Sequence, residues 1–326
     1  MITNTRYYGD NLEILRNRAY FPDECVDLIY LDPPFNSART YNVLFKDESG
    51  SESTSQIAAF DDTWHWGHES ESAFYELVQR GSDKVAQMAD ALLQSVGRNQ
   101  ITAYLMMMSI RLIELHRIMK PTASFYLHCD PTASHYLKMM LDAIFGVENF
   151  RNEIIWQRTS SHNDSKKWGA VHDVIFYYSK SHKFTWNPTF MAHNPDYVKK
   201  FYRFQDEHGI YRHDHIIRSK TMGPRPNLSY EYKGYKPEWG WRVNQEKLRA
   251  LDEDNRLIWS KSGRPYLKRY LHEQGGTAIK SVITDIPPLS AQSAEKLGYP
   301  TQKPTKLLER IIHASSNPGD VVLDPF

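Results

Sequence analysis

Apolar residues in this chain fall into short runs with two alternating spacings. Val26 to Leu31 (VDLIYL) is a nearly continuous apolar run, the pattern of a strand buried on both faces. Ahead of it, GDNLEILRNR (9–18) reads as a turn into a short helix. Ile101, Leu105, Met108, Leu112, Leu115 and Met119 recur at helical spacing through 101–120, and Pro121 stops that helix. The methionines there read as core. SFYLHCD (124–130) is a second strand, Pro131 opens a helix that Gly146 closes, and NEIIWQ (152–157) is a third strand. Residues 36–100 are polar and resist assignment, with Gly, Ser and Glu at 48–56 marking an exposed loop.

Strand, helix, strand, helix, strand predicts an α/β sheet covered by helices on both faces. From residue 157 the rhythm breaks: apolar stretches such as VIFYY and RLIW are short, and Gly, Pro and Asn are frequent. It returns at KLLERIIHASS (306–316), an NPGD turn and the strand of VVLDPF (321–326). The predicted organisation is one α/β domain made of 1–156 and 281–326, with 157–280 inserted as a β- and loop-rich region.

Charge sharpens that division. The chain carries a net +1, but residues 151–280 hold 24 Lys/Arg against 14 Asp/Glu and six of the eight tryptophans. A basic, aromatic-rich region inside an otherwise acidic chain suits a polyanion such as nucleic acid; an ordinary aromatic β-core is the alternative. No apolar run approaches the roughly 20 residues of a membrane helix, and the N-terminus lacks a secretory apolar core, so an intracellular protein is expected. Cys25 and Cys129 form no CxxC pair, which argues against a disulfide framework or a zinc site. His213-Asp214-His215 has no further obvious ligands, and His128-Cys129-Asp130 reads as structural, so no metal is expected.

The chemistry concentrates at LDPPF (31–35). Ligands of open α/β sheets bind beyond the carboxyl ends of strands, where this segment lies. Asp32 and the Pro33 carbonyl offer two acceptors, Pro34 fixes the turn and Phe35 offers a flat apolar face. Together they can clamp a planar group bearing an amine.

These residues resemble the amino-methyltransferases of DNA, whose hallmark is (D/N/S)PP(Y/F) after an apolar strand. The order of YYGDNLEIL (7–15), LIYLDPPFN (28–36), 120–156 and GYPTQKPTKLLERIIHASSNPGDVVLDPF (298–326) is similar to the permuted β arrangement, with the catalytic motif before the cofactor motif. The resemblance implies a Rossmann-like sheet that transfers a methyl group from S-adenosylmethionine to the exocyclic amine of a flipped base. Asp at position 32 favours adenine N6, with cytosine N4 open. It assigns Asp32, Pro33, Pro34 and Phe35 to catalysis. Asp10, Asn11, Thr301, Gln302, Lys303, Asp324, Pro325 and Phe326 fall to the cofactor, with Lys303 at its carboxylate.

Asp324-Pro325-Phe326 matches the start of the family's glycine loop, and the glycines do not follow within this sequence. A fragment, a natural truncation or half of a split enzyme is therefore expected, with an incomplete cofactor site; a catalytically silent DNA-binding protein is the alternative from another class. RNA or protein as substrate is a third reading. Residues 157–280 stand where the family carries its target-recognition region for double-stranded DNA. Lys166, Lys167, Trp168, Lys199, Lys200, Lys268 and Arg269 are the candidate contacts. A cognate restriction nuclease or a complementing C-terminal fragment is the implied protein partner, in a prokaryotic or phage-encoded, cytoplasmic and nucleoid-associated setting.

Overall fold

The computed structural model describes residues 4–34, 64–160, 166–290, 292–297 and 301–326. In chain order it opens with helix α1 (Asn11–Arg16) and strand β1 (Val26–Leu31). Helices α2 (His68–Arg80), α3 (Asp83–Val96) and α4 (Gln100–Ile118) lead to β2 (Met119–Cys129), α5 (Pro131–Phe145), β3 (Phe150–Gln157) and β4 (His172–Ser179). Then come β5 (Phe190–Met191), α6 (Pro195–Phe201), β6 (Phe204–Asp206), β7 (Gly209–His215), α7 (Gln245–Glu253), β8 (Leu257–Trp259), β9 (Pro265–Tyr270) and β10 (Thr277–Ala278). The chain returns through β11 (Val282–Ile283), α8 (Thr305–Ser315) and β12 (Val322–Leu323).

Two compact units result, Met1–Thr189 with Lys280–Phe326, and Phe190–Ile279. The entry into the second unit thus lies at 189/190 rather than at 157. The reason is β4: its apolar run (DVIFYY) is almost wholly buried between β2 and β3, antiparallel to both.

The first unit is built on a mixed sheet of order β11-β3-β4-β2-β1-β12, in which β1 runs parallel to both β2 and β12. From Leu28 onward β1 alternates: Ile29 and Leu31 enter one core, and Leu28 and Tyr30 the other. The first core is closed by α1 to α5, and the second by α8 through Leu307 and Ile311. Helices cover both faces, as the pattern predicts.

Local chemistry sets the element ends. Asp130 caps α5 by accepting from the Thr132 and Ala133 amides, Pro131 occupies the first turn, and Gly146 closes it at φ +87°. Helix α4 stops at Ile118, ahead of Pro121, because a residue preceding proline is driven out of the helical region. Pro121 then falls in the irregular stretch where pairing jumps from Val26–Met119 to Leu28–Ser124, so its missing N–H costs no ladder bond.

The second unit contains a four-stranded antiparallel sheet, β6-β7-β9-β8, and the short pair β5–β10. Its core gathers Ile216, Trp241, Leu248 and Leu257.

Candidate active site

Strands β1, β2, β3 and β12 run in the same direction, so their carboxyl ends share one edge of the sheet. Chain alternation carries Asp32 out of β1 on the face of Tyr30, the face that α8 covers. Asp32 Oδ2 accepts from Lys303 Nζ at 2.5 Å, and the two side chains are only 19% and 9% exposed. Asp32 Oδ1 is buried and, among the described residues, has no hydrogen-bond partner. An unpaired buried carboxylate oxygen is costly, so this atom stands ready for a donor. Pro33 is buried beside it. Phe35 lies outside the described residues.

Lys303 thus sits on the Asp32 carboxylate; the resemblance assigns it to the carboxylate of the cofactor. It also donates to the Thr301 carbonyl at 3.2 Å. Gln302 is likewise spent locally: its Oε1 accepts from the Leu297 amide and its Nε2 donates to the Glu295 carbonyl.

Beside β1, the pairs Leu28–Val322 and Ile29–Leu323 bring Asp324 to the same edge. Asp27 anchors the start of β12, accepting from the Val321 amide at 2.9 Å and from Lys120 at 2.6 Å. The Asp324 carboxyl end is crowded although the residue keeps open surface. That burial pushes it up to about 6; Asp32 adds to the rise, and the Phe326 amide and Lys303 oppose it.

Asp10 and Asn11, assigned to the cofactor by the resemblance, are held by contacts within the protein. Gly9, at φ +138°, turns the chain so that Asp10 caps α1, accepting from the Leu12 amide at 2.9 Å. The same oxygen accepts from Arg111 Nη2 at 2.9 Å. Asn11 Oδ1 accepts from Arg111 Nε at 2.7 Å, and its Nδ2 donates to the Pro325 carbonyl at 3.0 Å. Arg111, 9% exposed, thus joins α4 to α1 and, through Asn11, to the segment after β12. Its burial lowers its pKa, which the Asp10 carboxylate counters. An arginine inside an apolar helical run was the signal for this residue, and the reading by spacing passed over it.

A second buried arrangement underlies the edge. Tyr30 Oη lies 2.8 Å from His128 Nδ1, His128 Nε2 lies 3.2 Å from Asp173 Oδ2, and Asp173 Oδ1 lies 3.2 Å from Arg158 Nε. Burial holds the Tyr30 hydroxyl well above its ordinary range, with the Asp32 and Asp324 charges adding to it. Cys129 is fully buried, and burial likewise pushes its thiol up, which suits a packing residue.

Of the candidate nucleic-acid contacts, Lys166, Lys167 and Trp168 are exposed, Trp168 at 97%. Lys199 and Lys200 lie in the last turn of α6. Lys268 and Arg269 are instead tied to Asp206 at 2.7 Å and Asp214 at 2.9 Å. His213 stacks on Phe204 with ring centroids 3.9 Å apart.

A family model described as DNA methylase, of the N6/N4 methyltransferase type, matches residues 26–326. The chain belongs to this DNA methylase family. It is 29% identical to the type II methyltransferase M.EcaI of Enterobacter cloacae, over 100% of this chain and 62% of that protein. Identity to the type III restriction-modification enzyme StyLTI Mod subunit of Salmonella typhimurium is 25%, over 98% of the chain and 47% of the relative. It is 23% to the DNA adenine methyltransferase YhdJ of Escherichia coli, over 99% and 70%. The chain thus spans about half to three-fifths of the length of the first two relatives. Among its described residues, no helix is long and apolar enough to cross a membrane.

Proposed function

We propose that this DNA methylase-family chain carries the amine-binding site of a DNA amino-methyltransferase acting on adenine N6. The observation that carries the reading is Asp32 Oδ1, buried at the carboxyl end of β1 and without a hydrogen-bond partner among the described residues. An exocyclic amine is a weak nucleophile because its lone pair is delocalised into the ring. Donation of its two N–H bonds to Asp32 Oδ1 and the Pro33 carbonyl draws the nitrogen towards tetrahedral geometry and localises that pair. The Asp32 charge then opposes the positive charge the nitrogen gains as its new bond to carbon forms. Positioning of this kind is worth about 7–11 kcal/mol. The amine can reach such a site only after the base leaves the duplex, and Phe35 is the residue assigned to stack on it.

The residues also fit a cationic methyl donor. Asp32 and Asp324 share the edge, and Asp10 stands at the head of α1, which Asn11 ties to Pro325. S-adenosylmethionine, when bound, supplies a methyl group already activated on a sulfonium. The Asp324 and Asp10 carboxylates would hold its positive groups, with Asn11 and Arg111 joining the segments they stand on. The adenine choice follows from aspartate at position 32 and agrees with the name of the YhdJ relative. The type III relative's name supports a restriction-modification setting with a paired nuclease. Residues 190–279, with 17 Lys/Arg against 11 Asp/Glu, are the region assigned to duplex recognition.

Asp32→Ala in the full-length protein is expected to abolish methyl transfer while duplex binding persists. Nucleoside analysis of DNA modified by the wild type should show N6-methyladenine. Methylation retained by Asp32→Ala sinks the assignment, and N4-methylcytosine in that digest sinks the adenine choice.

A further inference from the structure

We propose that Lys303 is a positioning residue of the acceptor site, pinning Asp32 by Oδ2 so that Oδ1 alone faces the base amine. This rests on the methyltransferase reading above. It departs from the neighbouring possibility, a lysine reserved for the donor's carboxylate, on three grounds of geometry.

First, the contact is close and sheltered. Nζ lies 2.5 Å from Oδ2, and little of either side chain reaches water. Bulk solvent does not compete strongly for a pair so placed, and a charge-assisted bond of this length is strongly directional.

Second, the lysine has little slack to turn elsewhere. Pro304, which follows it, is buried and caps α8, and α8 is seated in the second core by Leu307 and Ile311. On the other side Gln302 fixes the backbone through Leu297 and Glu295. Thr301 takes a second hydrogen bond from the ammonium. Both the root and the head of the side chain are thus held.

Third, Asp32 needs a pin. The terminal torsion of an aspartate is broad and roughly two-fold, so a fixed backbone does not by itself decide where each oxygen points. The pairing of β1 with β12 also sets the like charge of Asp324 at the same edge, where a cation offsets it. One ammonium on Oδ2 settles both problems and leaves the other oxygen for the amine.

The test uses the full-length protein with Lys303→Met, Lys303→Arg, Asp32→Asn and the Asp32→Asn/Lys303→Met double variant. Calorimetry gives the affinity for S-adenosylmethionine, and single-turnover assays give the transfer rate. Lys303→Met should slow transfer about 100-fold, the scale of a misplacement near 1 Å, with cofactor affinity unchanged. Lys303→Arg should recover part of that loss, and adding Lys303→Met to Asp32→Asn should cost nothing more. If Lys303→Met fails to fold, Asp32→Asn and the double variant, which leaves no lone charge buried, still decide the matter by their cofactor affinities. Equal affinities support the pin; a large loss in the double variant assigns Lys303 to the donor and overturns it. Full activity of Lys303→Met against an active wild type overturns this proposal alone. A wild type that transfers no methyl group overturns the reading beneath it as well.

Discussion

Arg111 Nε donates to Asn11 Oδ1 at 2.7 Å across 100 residues of sequence, and Asn11 passes the connection on to the Pro325 carbonyl. One buried guanidinium thereby joins α4, the head of α1 and the segment after β12. Replacing Arg111 with Met would leave Asn11 Oδ1 without its donor and Asp10 without its cation. Breaking a fully buried pair costs about 3–5 kcal/mol, and here about half of Asp10 meets water, so a loss of about 2 kcal/mol is expected. Arg111→Lys should recover little, since one ammonium cannot reproduce the directed N–H bonds to Asn11, Asp10 and the Met107 carbonyl. Urea unfolding of the three proteins measures this. An unchanged midpoint for Arg111→Met would show that the joint carries no stability.

The Tyr30–His128–Asp173 arrangement makes a sharper statement about hydrogen placement. Asp173, which also meets Arg158, acts as acceptor, so His128 carries its proton on Nε2 and presents a lone pair at Nδ1. The Tyr30 hydroxyl then donates to Nδ1. Tyr30→Phe keeps the ring and strands that lone pair in the interior, at a cost of about 1–3 kcal/mol. In a His128→Ala background the same change should cost almost nothing. A double-mutant cycle measured by denaturant unfolding reads the coupling. Equal costs in both backgrounds would remove the hydrogen bond from the account.

His116 gives the pH dependence. Burial, followed by the nearby Lys180 ammonium, lowers its pKa from 6.5 to about 4. A histidine depressed in the folded state contributes stability that is fully present above about pH 6.5 and is lost as pH falls through about 4. The shift corresponds to at most about 3 kcal/mol, since one unit is worth about 1.4 kcal/mol and the ring keeps some access to solvent. His116→Asn should start less stable at pH 7, having lost the edge contact with Phe145 at 4.9 Å, and should then decline less between pH 6.5 and 4. Parallel curves for the two proteins would contradict this.

Much of the scaffold was legible from spacing alone. The apolar run of β1, the 3.6-residue period of α4 and the Pro131–Gly146 bracket around α5 each reflect a local rule, and local rules can be read locally. Helix α2 escaped because its buried stripe is thin, Ala73 and Leu77 among many polar residues; α3 carries a fuller stripe, Val85, Ala89, Leu92 and Leu93, which the reading of 36–100 as a polar whole passed over. The exit from β1 at Asp32-Pro33 was legible because a proline pair cannot continue a ladder. The partner of Lys303 was not, because a contact across 271 residues depends on which strand lies beside which. The same limit explains Arg111 and the ownership of β4: an apolar run says that a strand is buried, not in which sheet.

That last distinction supports a deletion experiment. Phe190 pairs with Ala278 across β5 and β10, so the two chain crossings into the 190–279 unit lie side by side. A short Gly/Ser linker can therefore bridge the gap. A variant lacking 190–279 should keep the six-stranded sheet and melt cooperatively by circular dichroism. It should also lose duplex affinity and most of its salt dependence, because the deleted unit carries the excess of Lys and Arg. Deleting 157–280 should instead fail to fold. That cut removes β4, whose loss would part β2 from β3 and strip Val174, Phe176 and Tyr178 from one core and Ile175 and Tyr177 from the other. A folded 157–280 deletion would overturn the assignment of β4 to the central sheet. Undiminished duplex binding by the 190–279 deletion would move DNA recognition to the first unit, where Lys166, Lys167 and Trp168 lie exposed.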